Sequence, residues 1–440
     1  MEKTTLINPA SAGYPAIVIG LSESANSHPI DLELTELILL LATLGLKVAA
    51  RVVQKNHRLS PAHLIGQGKI AEIRALALAH QVRLLVFDHV LTGTQQRNLE
   101  EMTGCQVLDR AGVILDIFAH HAHSSQAQTQ VEIAQLHYLL PRLTGAWTHF
   151  HRQAGGGGVT SRGMGEKQIE VDRRRARERI ARLQKRLEQV RKEKIVQRKS
   201  RQNELKVSLV GYTNSGKTTL MHGLTRSEQH GKDELFATLD TSVRVIDPAR
   251  KPKILLSDTV GFIRKLPPSL LESFKSTLDE ACNADLLLHV VDISHPDFRE
   301  QMEVTESVLS EIAAKDIPTM VIFNKIDLAD DPFLPRILKR RFPDSIAISS
   351  LHSADLRRVR EHLFAFFQKK FHPLYLKIAV TEQNSLSLVY NNCVLQGVFY
   401  QGAYAFFSLQ APERIYVKLQ RFVITEQDFQ GELSDEPNAH

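Results

Sequence analysis

The stretch Gly211-Tyr212-Thr213-Asn214-Ser215-Gly216-Lys217-Thr218 follows the apolar run "LKVSLV" and precedes the helix-like "TLMHGLT". It matches G-x-x-x-x-G-K-[ST] in the strand–loop–helix context that gives this spacing its chemistry. Glycines let backbone N–H groups turn inward, a helix N-terminus favours phosphate, and Lys217 neutralises its charge. Gly211, Asn214, Ser215, Gly216, Lys217, Thr218 and Thr219 are therefore candidate nucleotide contacts, and the Thr218 hydroxyl is a candidate Mg²⁺ ligand.

Three further stretches follow in order. "KILLSDTVG" ends an apolar strand on Asp258, with Thr259, Val260 and Gly261 behind it. The carboxylate can reach Mg²⁺, and Gly261 can offer its N–H to a γ-phosphate. "MVIFNKIDL" ends another strand on Asn324 and Lys325, with Asp327 two residues on. That carboxylate can accept two hydrogen bonds from guanine that adenine cannot donate. "AISSL" then offers Ser349, Ser350 and Leu351 to the base. Between the phosphate loop and Asp258 lies "LFATLDTSV", contributing Phe236, Thr238 and Asp240. Thr238, twenty residues after Thr218, is the candidate switch threonine that completes the Mg²⁺ shell; an ordinary loop threonine is the alternative. Lys217, Thr238 and Gly261 form the candidate catalytic set.

One position limits the chemistry. Phe262 follows Gly261, where a glutamine would orient the attacking water. An apolar ring does neither that nor charge stabilisation, so basal hydrolysis is expected to be slow and raised by a partner or a cation. Asn214 resembles the position at which some glutamine-less GTPases bind K⁺.

These groups need strands that deliver them to one edge. Residues 204–370 alternate apolar runs with helical patterns, as a nucleotide-binding α/β domain requires. Residues 1–110 alternate likewise: "AIVIGL", "LKVAARVV", "VRLLVFD" and "CQVLD" read as strands around three helices, a smaller α/β subdomain. Its "GQGK" (Gly66 to Lys69) lacks phosphate-loop spacing and reads as a turn that starts a helix. From 371 to 425 the runs "YLKIAVTE", "SLSLVYNN", "VLQGVFYQGAYAFFSL" and "RIYVKLQRF" read as strands of a small β-rich domain. Residues 426–440 carry five acidic side chains and no Lys or Arg, which predicts an unstructured acidic tail.

Residues 111–203 have a different texture. Ala127, Val131, Ala134 and Tyr138 recur at heptad spacing, as do Ala176, Ile180, Leu183, Leu187 and Val190, which predicts an antiparallel helical hairpin projecting as an arm. His120, His121 and His123, placed on its first helix, have no Cys or carboxylate at ligand spacing and read as surface histidines. Gly165 to Gln202 holds fifteen Lys/Arg and six Asp/Glu, so this one element carries +9 while the whole chain carries +6. Either a polyanion-binding surface or a solvated helix face would look this way. The connecting loop contains four consecutive glycines in "FHRQAGGGGVTSRG". A linker needs glycine but not the flanking Arg142, Trp147, Phe150, Arg152 and Arg162. Arginine on phosphate, aromatic stacking on unpaired bases, and close backbone approach at Gly156 and Gly157 describe an RNA-probing tip, with Arg173 and Arg174 continuing the basic surface.

Composition sets the bounds. The 440 residues are 43% apolar and 24% charged, enough for several cores. Cys105, Cys282 and Cys393 are scattered, which fits a reducing cytoplasm. The most apolar run, Leu37 to Leu46, is ten residues long, too short to cross a bilayer, and no stable membrane insertion is expected. A soluble monomer is the expectation.

Together, "GYTNSGKTTL", "LFATLD", "DTVGFI" and "NKID", with "GMGEKQIEVDRRR" and "HLIGQGKIAEI" before them, resemble the HflX family of ribosome-associated GTPases over roughly residues 15–370. The family often has Pro after the switch Asp where this chain has Thr241. The resemblance implies an N-terminal α/β subdomain, a helical hairpin, a P-loop GTPase domain, GTP as substrate with Mg²⁺, and binding to the large ribosomal subunit and its RNA. It further implies GTP-dependent splitting, rescue or recycling of ribosomes. Two alternatives stay open: an RNA-binding ribosome-assembly scaffold switched by GTP, and an RNA-remodelling factor using ATP, against which Asn324 and Asp327 argue.

Overall fold

The computed structural model describes residues 5–7, 15–22, 30–55, 60–143, 162–199, 202–226, 235–236, 242–265 and 278–434. The chain divides into two compact units. The first comprises Met1–Lys192 with Asp233–Asp240 and Lys265–Ser276; the second comprises Glu193–Lys232, Thr241–Arg264 and Thr277–His440.

The first unit is built on β1 (Ala16–Ser22), α1 (Ile30–Thr43), β2 (Val48–Lys55), α2 (Gln67–Ala79), β3 (Leu84–Phe87), α3 (Gly93–Thr103) and β4 (Gln106–Asp109). The strands form one parallel sheet in the order β2-β1-β3-β4. All four residues of β3 are buried, as a parallel strand covered on both faces demands. The sequence starts α3 with a Thr92/Gln95 capping box. "GQGK" opens α2, with Gly66 preceding its first residue.

Beyond β4 the expected boundary at 110/111 does not hold. Arg110–His121 forms α4, whose residues from Arg110 through Ala119 are all buried in this unit. The predicted first arm helix is therefore two helices. α4 stops near Ala122, and Ser124 caps α5 (Ser125–Leu139) through the N–H of Ala127. His120 and His121 end α4 rather than riding on α5; His120 and His123 are exposed, and Nδ1 of His120 lies 2.9 Å from the Asp116 carbonyl. No His/Cys/Asp/Glu cluster that could hold a metal exists among the described residues.

The long helix α6 (Arg162–Lys199) pairs with α5 through Ile180 and Leu183, both buried. Arg179 meets Glu132 at 2.8 Å and Arg186 meets Ser125 at 2.8 Å. A shift of seven residues on one helix matches seven in the opposite sense on the other, so the pair is antiparallel, as the heptads predict.

The second unit contains β5 (Leu205–Val210), α7 (Lys217–Thr225), β6 (Val243–Val245), β7 (Ile254–Asp258), β8 (Leu286–Asp292), α8 (Phe298–Glu311), β9 (Thr319–Asn324), α9 (Leu334–Arg341), β10 (Ile346–Ala347) and α10 (Ser353–Gln368). Its sheet order is β10-β9-β8-β5-β7-β6, with only the edge strand β6 antiparallel to its neighbour. The chain leaves β5 for β7 on one side and β8 on the other. The carboxyl end of β5 is thus a topological switch point, where open α/β sheets bind ligands.

The C-terminal part is a four-stranded antiparallel sheet, β12-β13-β11-β14, from β11 (His372–Ala379), β12 (Val394–Gln401), β13 (Tyr404–Ala411) and β14 (Val423–Ile424). Two expected strands are helices. "SLSLVYNN" lies in α11 (Gln383–Asn392) and "RIYVKL" in α12 (Glu413–Leu419). Alternating apolar residues over a short run also satisfy a helix that buries Val389, with Leu386 and Leu388 partly covered, or Ile415 and Leu419, against a sheet. The unstructured acidic tail expected over 426–440 is corrected for 426–434, and 435–440 lie outside the described residues. Glu426–Ser434 forms α13, which buries Phe429 against the rings of Tyr375 and Phe399 and pairs Glu432 with Lys377 at 2.7 Å. One aromatic residue anchors a segment whose charge alone argued for disorder.

Candidate nucleotide site

Four loops at the carboxyl ends of β5, β7, β9 and β10 converge. The phosphate loop leaves β5 with Gly211 and enters α7 through Gly216, whose φ of +91° only glycine adopts without strain. A side chain there would collide with the Asn324 amide. Asn214 is also left-handed (φ 59°) and exposed, a conformation asparagine tolerates. Lys217 is buried beneath the loop and donates to the carbonyls of Gly211 (3.1 Å) and Tyr212 (2.6 Å). Burial pushes its ammonium down to about 8, partly opposed by the Asp258 carboxylate, so it is still a cation at neutral pH. Next to it, buried His289 on β8 is pushed down to about 4 by burial and then by Lys217, and stays neutral.

Two of the three expected Mg²⁺ ligands meet. Thr218 Oγ1 donates to Asp258 Oδ2 at 2.8 Å, which brings together residues 40 apart in sequence. The donor set is hard oxygen, suited to Mg²⁺. Two hydroxyls in the same loop, Thr213 Oγ1 and Ser215 Oγ, are buried with no hydrogen-bond partner among the described residues. Buried hydroxyls of this kind need a polar partner, and a phosphate supplies one. Gly261 completes the cradle: a Cβ there would stand 2.8 Å from Thr213 Cα and 3.0 Å from Lys217 Nζ. These residues fit an Mg²⁺–nucleotide, and Thr218 and Asp258 are the pair that would hold the ion. Bound there, Mg²⁺ would neutralise charge developing on phosphate oxygens.

Thr259 and Val260 serve the fold beside this cradle. Thr259 gives its hydroxyl to the Leu209 carbonyl at 2.6 Å, and Val260 is buried. Phe262 is 3% exposed, and its backbone is held by Gly211 (3.1 Å) and Thr213 (2.8 Å). The residue following Gly261 therefore braces the phosphate loop, and its ring is in the core.

At the base end Asn324 acts as a brace, not as a free ligand. Buried to 1% exposure, it donates from Nδ2 to the Ser215 carbonyl at 2.8 Å. Its Oδ1 accepts from the Ser350 N–H at 3.0 Å and the Ser350 hydroxyl at 2.7 Å. Lys325, left-handed at φ 59°, pairs with Asp292 at 2.7 Å. Asp355 accepts the Ser349 N–H at 2.9 Å. The turn Ile326–Leu328 then leaves Asp327 exposed, with Leu351 also exposed across from it on the β10 loop. Asp292 and Asp355 were missed in the sequence reading. Asp292 had a signal, as the carboxylate that ends the apolar run "LLLHVVD".

Several expected contacts fall elsewhere. Phe236 is 2% exposed and packs edge-on to Phe118 of α4 at 4.7 Å between centroids, so its ring is spent on the first unit's core. Arg142 is corrected as well. Its guanidinium donates to Asp109 (2.9 Å), Gln96 (3.1 Å), Leu91 O (2.6 Å) and Tyr138 O (2.8 Å), and stacks on the Tyr138 ring. With four of its five N–H donors engaged inside the unit, its guanidinium is built into the fold rather than presented to RNA. Arg173 and Arg174 lie on α6, with Arg174 exposed and 3.8 Å from Glu178. Arg162 begins that helix. Thr238, Asp240, Trp147, Phe150, Arg152, Gly156 and Gly157 lie outside the described residues.

Three family profiles cover the chain in order: "GTP-binding GTPase N-terminal" over residues 31–119, "GTP-binding GTPase Middle Region" over 121–201, and "50S ribosome-binding GTPase" over 206–325. GTPase HflX of Flavobacterium psychrophilum is 48% identical over 312 residues, covering 71% of this chain and 75% of its own. That of Gluconacetobacter diazotrophicus is 38% identical over 414 residues, covering 86% and 90%. A solved GTP-binding protein from Sulfolobus solfataricus in complex with GDP is 26% identical, covering 80% of this chain and 98% of its own, with a TM-score of 0.43. No helix among the described residues is long and apolar enough to cross a membrane. Alongside the Thr218–Asp258 pair, the Lys217 cradle and the Asn324 brace at the ends of successive strands, the three profiles and the two HflX relatives show that the chain is a GTP-hydrolysing enzyme belonging to the HflX family.

Proposed function

We propose that this GTPase binds the large ribosomal subunit and couples GTP binding and hydrolysis to splitting, rescue or recycling of ribosomes. The observation that carries the reading is Phe262, buried with its backbone locked to the phosphate loop. The residues present fit phosphate and metal, yet the position that would orient water carries a ring packed away, which favours activation by a partner. The profile over residues 206–325, described as a 50S ribosome-binding GTPase, names the partner class. Thr238 is proposed to complete the Mg²⁺ shell, and K⁺ beside exposed Asn214 is proposed to assist. The loop containing Trp147, Phe150, Arg152, Gly156 and Gly157, with Arg162, Arg173 and Arg174 on α6, is proposed as the RNA-contacting tip. This reading puts the work in the cytoplasm, performed by a monomer.

The test is GTP turnover with and without purified large subunits, in K⁺ and in Na⁺ buffers, alongside subunit dissociation on sucrose gradients. Stimulated turnover and GTP-dependent dissociation are expected, with dissociation lost on deletion of residues 154–161 while GTP affinity is kept. Equal turnover with and without subunits would remove the activation argument. GTP-dependent binding to subunits without dissociation would favour the assembly-scaffold reading.

A further inference from the structure

The second unit carries a cluster of arginines that the nucleotide site does not use. Gly223 sits on α7 where α10 crosses it, and a Cβ there would lie 2.6 Å from Leu356 Cδ1. The bare glycine leaves room for that Leu356 methyl, and the contact sets the last turns of α7 against the first turn of α10. Arg226, three residues past Gly223, comes close enough to Arg360 to act on its charge, as Arg357 on the same helix does. The turn between β6 and β7 adds Arg250, whose guanidinium lies over the Phe364 ring of α10 at 4.7 Å. Arg226, Arg250 and Arg357 are exposed.

The cluster is electrostatically unfavourable by itself. Burial, then Arg226, with Arg357 and Arg250 adding, hold the Arg360 guanidinium below its usual value, and Asp247 alone opposes them. Asp247 is 3.9 Å from Arg250. Four cations against one carboxylate leave the patch near +3. Neighbouring Arg358 does not belong to it, since Asp355 (3.0 Å) and the Ala347 carbonyl engage it. A merely solvated helix face disperses its charges; here a close helix crossing and an aromatic platform gather them from three elements.

We infer that Arg226, Arg250, Arg357 and Arg360 form a docking surface for the phosphate backbone of ribosomal RNA, separate from the nucleotide site. Guanidinium groups grip phosphate oxygens in pairs, and adjacent phosphates along a strand present repeated negative charge to a patch of this kind. Each phosphate neutralised releases counterions, so binding through the patch must weaken steeply with salt. The inference rests on the reading that the large subunit is the partner.

The experiment compares wild type with R226Q/R250Q/R357Q/R360Q by co-sedimentation with purified large subunits across a KCl series, and by GTP affinity. The expected result is at least about 10-fold weaker subunit binding at low salt and a log–log salt slope smaller by about 2–4, near one per arginine lost. GTP affinity should be unchanged, and the all-lysine variant should keep most of the slope. The pair variant R226Q/R357Q, a smaller perturbation of the fold, should lose about half of it. Wild-type binding with an unchanged slope in both glutamine variants overturns this inference and leaves the functional reading standing. Failure of wild type to sediment with subunits overturns both. Naked large-subunit RNA bound equally by wild type and the quadruple variant, when intact subunits are not, would assign the patch to ribosomal protein and overturn it too.

Discussion

Replacing Asn324 by alanine isolates the joint between the phosphate loop and the base loop. The side chain is 1% exposed and makes three hydrogen bonds, to the Ser215 carbonyl (2.8 Å), the Ser350 N–H (3.0 Å) and the Ser350 hydroxyl (2.7 Å). Truncation strands the Ser215 carbonyl and the Ser350 N–H away from water. A buried group left without its partner costs about 1–3 kcal/mol, and the hydroxyl can rotate to another acceptor. The sum is about 4 kcal/mol. For a nucleotide-binding region of this size, each kcal/mol lowers the melting temperature by about 2–4 °C, so the GTPase transition should fall by about 10 °C. Asn324→Asp keeps both acceptor bonds but turns a carboxylate oxygen toward the Ser215 carbonyl in a buried position, and should fall at least as far. Differential scanning calorimetry of the nucleotide-free proteins measures both. GTP affinity should also drop, because Ser215 belongs to the loop that holds phosphate. An alanine variant melting within about 2 °C of wild type would show that the brace carries no load, and the reasoning would fail.

Other outcomes follow from the same geometry. Gly261→Ala places a methyl 2.8 Å from Thr213 Cα and 3.0 Å from Lys217 Nζ, and should cost at least about 10-fold in GTP affinity, read by fluorescent-nucleotide titration. Unchanged affinity would remove Gly261 from the cradle. Asp327→Asn changes two acceptors into one acceptor and one donor, so competition binding should shift preference from guanine toward xanthine nucleotides; retained GTP preference would refute the base contact. Stability should also depend on Asp116, which burial pushes up to about 6 from 3.8 while it accepts the N–H groups of Leu6 and Ile7. The folded state holds this proton more tightly than the unfolded chain. Its contribution is therefore full below pH 3.8 and is lost as pH rises to about 6. Between pH 4.5 and 7 the wild type should lose about 2 kcal/mol relative to Asp116→Asn in urea unfolding, and parallel profiles for the two proteins would contradict it.

The nucleotide chemistry was legible in the chain because it is local. A phosphate loop needs its glycines, lysine and threonine within eight residues, and each later motif closes an apolar strand whose period is visible by itself. Heptad spacing likewise disclosed α5 and α6, since the residues that pair across an antiparallel seam repeat within each helix. What the sequence left open were the uses of side chains whose partners are distant along the chain. Arg142 looked like part of an RNA-binding tip, yet Asp109, 33 residues away, Leu91 and Gln96 engage most of its donors inside the first unit. Phe236 stood in a nucleotide motif, yet Phe118 takes its ring into a core. The C-terminal helices α11, α12 and α13 carried strand-like or disordered patterns because one or two apolar residues suffice to hold a short helix on a sheet, and only the sheet reveals which. The arginine cluster belongs to the same class. Four residues spread from 226 to 360 become one charged surface because α7 packs on α10 at Gly223 and the β6–β7 turn lays Arg250 over the Phe364 ring.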